Sequence, residues 1–164
     1  MKIPDVIIHE VKHSLYCLDE IYKLNDLLEK YKEEWLRDRQ EVYGRIRVSN
    51  YDQTRIQSNV YNFDNPVISM FTEIDNLDKN YYATIKPIRV KLERLKEVAT
   101  FLLEEDEETR DVLRHLYLIH LPRGDIVKLL DLTLLELSQI EHRGIMNIAR
   151  KCYENNTFAR RDYE

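Results

Sequence analysis

The stretch HEVKH, residues 9–13, is where residue type and spacing first suggest chemistry. On a helix, two histidines four apart share a face and can hold zinc beside a glutamate base. A catalytic zinc also needs a third protein ligand, and no downstream His or Glu stands in a recognisable context. The other histidines, His115, His120 and His142, lack ligand spacing. The stretch therefore reads as polar positions on the outer face of a helix, and no metal is expected. Gly44, Gly124 and Gly144 are isolated, so no phosphate-cradling loop exists. There is no G-x-S-x-G elbow, neither cysteine has a catalytic context, and the carboxylates are spread along helix faces. The sequence points away from an enzyme and calls for no cofactor.

The elements that would position any site are helical. The chain has 164 residues, with 43% hydrophobic and 34% charged positions but only three Gly and four Pro. That balance fits a folded, helix-rich chain with a modest core. A net charge of -5 excludes a global attraction to nucleic acid or anionic membrane, so any DNA binding has to come from a local patch. The first residues turn charged too soon for a secretory leader, and no apolar run is long enough to span a bilayer. Cys17 and Cys152 read as two reduced thiols, and a cytoplasmic protein is expected.

Residues 4–42 carry one helical seam, in which Ile21, Leu24, Leu28, Tyr31 and Trp35 recur three and four apart. The tract 44–66 is rich in Asn, Gln, Ser and Tyr and is expected to be a polar loop. A second seam follows, with Met70, Ile74, Leu77 and Tyr81 and then Ile88, Leu92, Leu95, Ala99 and Leu102. Pro87 predicts a kink or short break between them. The two seams suit an antiparallel helical hairpin or coiled coil, which would set an oligomeric state. The acidic run 104–111 reads as a solvated junction. Two domains are expected, residues 1–104 for oligomerisation and 105–164 for a smaller unit.

That smaller unit has three helical pieces, at about 108–121, 123–130 and 133–153, separated by LPRG and DLT. Asp131 or Thr133 is a plausible cap for the third. Ile126, Leu129, Leu130, Leu132, Leu137, Ile140, Ile145 and Ile148 have the spacing to close a core with Val112, Leu113 and Leu116. Two short helices joined by a tight turn, the second longer and capped, match a helix-turn-helix that docks its second helix in the major groove, and the spacing equally fits any other three-helix unit.

The same residues resemble region 4 of bacterial sigma factors. VLR at 112–114 is similar to that region's opening helix, and DIVKLLDLT at 125–133 to its supporting helix and turn. SQIEHRGIMNIARK at 138–151 is similar to the recognition helix, with the Gln139, Ile140, Glu141 triplet intact. The match covers residues 109–151. The layout of the whole chain is similar to small phage regulators of the RinA and ArpU type, which activate late genes. The resemblance implies binding to double-stranded DNA near promoters as a homo-oligomer, with RNA polymerase a further partner.

It also implies a set of site residues. Thr133, Leu134, Leu135, Ser138, Gln139 and His142 fall at base-reading positions. Arg123, Lys128, Arg143, Arg150 and Lys151 fall where phosphate would be held. Sigma recognition helices begin with an Arg-Glu pair where this chain has Leu134 and Leu135, and carry Arg where it has Ser138. Leucine can touch a thymine methyl but cannot pair with guanine as arginine does, whereas the Gln139 amide can pair with adenine. Glu136 and Glu141 oppose the basic residues, so modest, salt-sensitive affinity is expected. Two alternatives share these features. One is a DNA-packaging subunit of the small terminase type. The other is a sigma-like module that binds a host protein instead of DNA.

Overall fold

The structure, a computed structural model, describes residues 2–52 and 66–158. Every regular element among them is helical, so the chain is all-α. In order they are α1 (Asp5–Tyr16), α2 (Glu20–Asp52), α3 (Pro66–Leu103), α4 (Glu107–Leu113), a π-helical turn (Arg114–Leu118), α5 (Arg123–Leu130) and α6 (Leu134–Glu154). Among the described residues no helix is long and apolar enough to cross a membrane.

Several boundaries differ from the sequence expectation. The first seam is not one helix, because α1 stops at Cys17, whose N–H turns back to the carbonyls of His13 and Ser14. α2 runs on to Asp52, so the expected loop does not begin at Gly44, and its portion 53–65 lies outside the described residues. Pro87 sits inside a continuous α3 rather than at a break. Its missing N–H deprives only the carbonyl of Ala83, and both residues are exposed, where water can replace the lost donor.

The chain divides into two compact units, Met1–Leu24 with Val90–Glu164, and Asn25–Arg89. This differs from the expected division at 104/105, and the reason is packing. Val11 and Leu15 of α1, Leu95 and Val98 of α3, Leu113 of α4, and Ile145, Ile148 and Ala149 of α6 form one buried cluster. The N-terminal helix and the end of α3 thus complete the core of the C-terminal helices. Burying each of the larger of these side chains contributes about 1.5–3 kcal/mol.

A second cluster within the same unit joins Val112, Ile126, Leu137 and Ile140, with Leu116, Leu130 and Leu132 against it. Leu129, expected in this core, is 61% exposed. The apolar stripe of α5 runs through Ile126, Val127 and Leu130, and Leu129 falls off that face. Where α4 and α6 meet, Gly144 is buried, and a Cβ there would lie 2.5 Å from Thr109 Cγ2 and 2.9 Å from Leu113 Cδ1.

Three helical segments end in the same way. His120, Asp131 and Asn156 take left-handed φ values of 60°, 54° and 54°. The next N–H bonds a carbonyl five residues back at Leu132 to Val127 and Thr157 to Cys152, and six back at Leu121 to His115, where a π-helical turn precedes. These closures satisfy carbonyls that a helix end leaves open. α6 opens on a capping box. The Thr133 hydroxyl accepts from Glu136 N–H, and the Glu136 carboxylate accepts from Thr133 N–H.

In the unit Asn25–Arg89, contacts between α2 and α3 run antiparallel. Trp35 stacks on Tyr81 with centroids 4.5 Å apart, and its Nε1–H donates to Asp78 at 2.8 Å. Arg39 reaches the same carboxylate, and farther along Arg45 pairs with Glu73 while Val42 packs on Met70 and Ile74.

Candidate nucleic-acid interface

α6 has two differently covered halves. Leu137 and Ile140 anchor its first half to α4 and α5, while Ile145, Ile148, Ala149 and Cys152 bury its second half in the cluster shared with α1. Leu135, Ser138, Gln139 and His142 are all exposed and follow i, i+3, i+4, i+7 spacing, so they form one open face on the first two turns. Leu134 and Leu135 are 60% and 68% exposed, and Leu129 of α5 is exposed as well.

The six expected base-reading residues divide by what their polar atoms already do. Thr133 is committed to the capping box, donating to Glu136 Oε2 at 2.8 Å and accepting from Glu136 N–H at 3.2 Å. These bonds hold the Glu136 carboxyl below its usual range, the Thr133 N–H first and the hydroxyl second. Ser138 donates back to the Leu134 carbonyl at 2.9 Å. Leu134 and Leu135 offer only apolar surface. Gln139 and His142 are the two exposed polar side chains of this face with no hydrogen bond among the described residues.

The five expected phosphate residues also divide. Lys128 and Arg150 are exposed and make no ion pair among the described residues. Arg123 pairs with Glu141, whose other oxygen accepts from Tyr117 at 2.8 Å. Burial first, then the bond to Glu141, pushes the Tyr117 hydroxyl far above its usual value. Glu141 of the triplet is thus turned to the support of α6 and away from its open face. Arg143 donates to Thr109 Oγ1 at 3.2 Å and lies 3.7 Å from Glu108 and 3.9 Å from Asp106. Lys151 pairs with Glu104 at 2.9 Å and Glu105 at 3.4 Å. Partial burial draws the Lys151 ammonium down, but the two carboxylates outweigh it and leave its pKa raised.

A groove of about 320 Å³ adjoins the open face, lined by Glu108, Leu132, Glu136, Gln139, Ile140 and Arg143. It mixes carboxylates with one guanidinium and one amide. Glu108 and Tyr117 were not evident as site residues from the sequence, because their partners on α6 lie 35 and 24 positions away. The histidines of HEVKH lie exposed on α1, and among the described residues no three His, Cys, Asp or Glu side chains are grouped to hold a metal. Compared with known proteins, the chain matches no family model, no curated protein and no solved structure.

Proposed function

We propose that the chain is a sequence-specific DNA-binding transcriptional regulator of the cytoplasm, with α5 and α6 as its helix-turn-helix. The observation that carries this reading is the open first half of α6. It is capped at Thr133, braced from beneath by Leu137 and Ile140, and presents Leu135, Ser138, Gln139 and His142 together. A capped, buttressed helix with an exposed face is what major-groove docking requires. Gln139 reads adenine, the leucines meet thymine methyls, and Lys128 and Arg150 hold phosphate. The resemblance to sigma region 4 and to RinA- and ArpU-type phage regulators gives the context: activation of late genes by a homo-oligomer, with RNA polymerase nearby. With few free cations per copy, two copies on adjacent half-sites would supply the phosphate contacts that one lacks.

The test is a binding assay on duplexes from the gene's own neighbourhood at two salt concentrations. Gln139→Ala should relax sequence preference by about 1–3 kcal/mol at the position it reads. Lys128→Ala should weaken all sequences alike and lower the salt slope by about one. Absence of any duplex binding at low salt would sink the reading.

A second reading is favoured by Leu129, Leu134 and Leu135. These three exposed leucines, at the end of α5 and the start of α6, suit a protein partner, and Arg123, Arg143 and Lys151 already have carboxylate partners. That reading predicts a partner retained when Gln139 is replaced and lost with Leu134→Ser plus Leu135→Ser.

A further inference from the structure

On α6, Gln139, Arg143, Asn147 and Lys151 follow one another at four-residue spacing, so they form a single stripe. Its last three members are fastened to the segment 104–109. Asn147 donates to Glu105 at 3.1 Å, Lys151 pairs with Glu104 and Glu105, and Arg143 meets Thr109, Glu108 and Asp106. The acidic junction is therefore laid along α6 and is not simply solvated.

The two cations are held differently. Glu105 is buried and bonded on both oxygens, so Lys151 belongs to the scaffold. Arg143, Asp106 and Glu108 all keep more than half of their side-chain surface in water, at 54%, 57% and 56%. Exposed ion pairs are weak, so this guanidinium exchanges partners at little cost. Arg143 and Glu108 also line the groove beside Gln139.

We propose that Glu108, with Asp106, is an internal competitor for DNA phosphate, holding Arg143 beside the reading face until a phosphate displaces the carboxylates. The proposal rests on the DNA-binding reading and adds a regulation to it. A phosphate gained by Arg143 is a carboxylate lost, and the freed Glu108 recruits a cation from solution. The exchange therefore lowers affinity and also blunts its salt dependence.

The experiment is a double-mutant cycle on the full chain. Binding to a mixed-sequence DNA duplex is measured at low salt for wild type, Glu108→Gln, Arg143→Ala and the double variant, each checked for an unchanged thermal midpoint. Glu108→Gln is expected to tighten binding about threefold when Arg143 is present and to steepen the salt dependence. In the Arg143→Ala background it should do neither, because there is no cation left to release. Tightening in both backgrounds would mean a general charge effect, and tightening in neither would mean no competition; either overturns the proposal while DNA binding stands. No duplex binding by any of the four proteins overturns the DNA reading and the proposal together.

Discussion

Gly144 of α6 and Thr109 of α4 pack so closely that any Cβ at position 144 would lie 2.5 Å from the Thr109 methyl. This contact sets the approach of α4 to α6, and with it the position of Glu108 relative to the open face of α6. Gly144→Ala gains helix propensity of about 1 kcal/mol but overpacks a buried seam at a cost of about 1–3 kcal/mol. A net loss of stability is expected in urea unfolding. Thr109→Ser removes the methyl and keeps the hydroxyl that donates to Asp106 at 2.8 Å. The double variant should recover part of the loss, to the extent that Leu113 Cδ1, at 2.9 Å, can also yield. Strict additivity of the two changes would show that the close approach is not the cause.

The two thiols should differ sharply in reactivity. Cys152 is 1% exposed, and burial pushes its thiol up to about 12. Cys17 is half-buried at the end of α1, with its thiol raised by burial first and by Glu20 second. Only the thiolate reacts, so both are slower than a free cysteine, and Cys152 should react only through unfolding. Labelling of native protein at mildly alkaline pH is expected to modify one site, and Cys17→Ser to abolish that fast phase. A fast phase that survives in Cys17→Ser would mean that the cluster around Cys152 opens readily.

These contacts show how far the sequence could lead. The helical periods were legible, because an apolar residue every three or four positions has few other uses. Met70, Ile74, Leu92, Leu95 and Leu102 are all buried as their spacing predicts. The end of α1 was not legible, since residues 17–19 contain neither Gly nor Pro and the break is stabilised by packing against distant helices. Composition misled at Gly44, where polar residues continue α2 without an apolar seam. On α6 the spacing pointed to the buried Leu137, Ile140, Ile145 and Ile148, whereas the residues of its open face were named from the resemblance. The engagement of Arg123, Arg143 and Lys151 was not legible, because their carboxylate partners include residues up to 47 positions away.

The left-handed helix ends offer a stabilisation test. Asp131 holds φ 54° as the link between α5 and α6, and an L-residue pays a steric cost there that glycine avoids. Asp131→Gly is expected to raise stability by a few tenths to about 1 kcal/mol, the relief being partly offset by the greater freedom of glycine in the unfolded chain. Asn156→Gly should give a smaller gain, since Asn tolerates this region well. The reading is wrong if Asp131→Gly lowers the urea midpoint.

Acid should weaken the α4 cap, and with it the junction that carries Glu108. Asp106 caps α4, accepting from the Thr109 hydroxyl at 2.8 Å and from Thr109 N–H at 3.1 Å. These bonds, the hydroxyl first, hold its pKa below the ordinary 3.8. The folded state therefore binds fewer protons than the unfolded one, so this contribution is complete above 3.8 and is lost as pH falls through the depressed value. Its size is a fraction of the about 1 kcal/mol typical of a helix cap, because the side chain is 57% exposed and screened. Asp106→Asn keeps a capping side chain but cannot titrate. Comparing urea midpoints at about pH 5 and about pH 2.5, wild type should lose more stability than Asp106→Asn. Equal losses would mean that the carboxylate takes no part in the acid sensitivity of the fold.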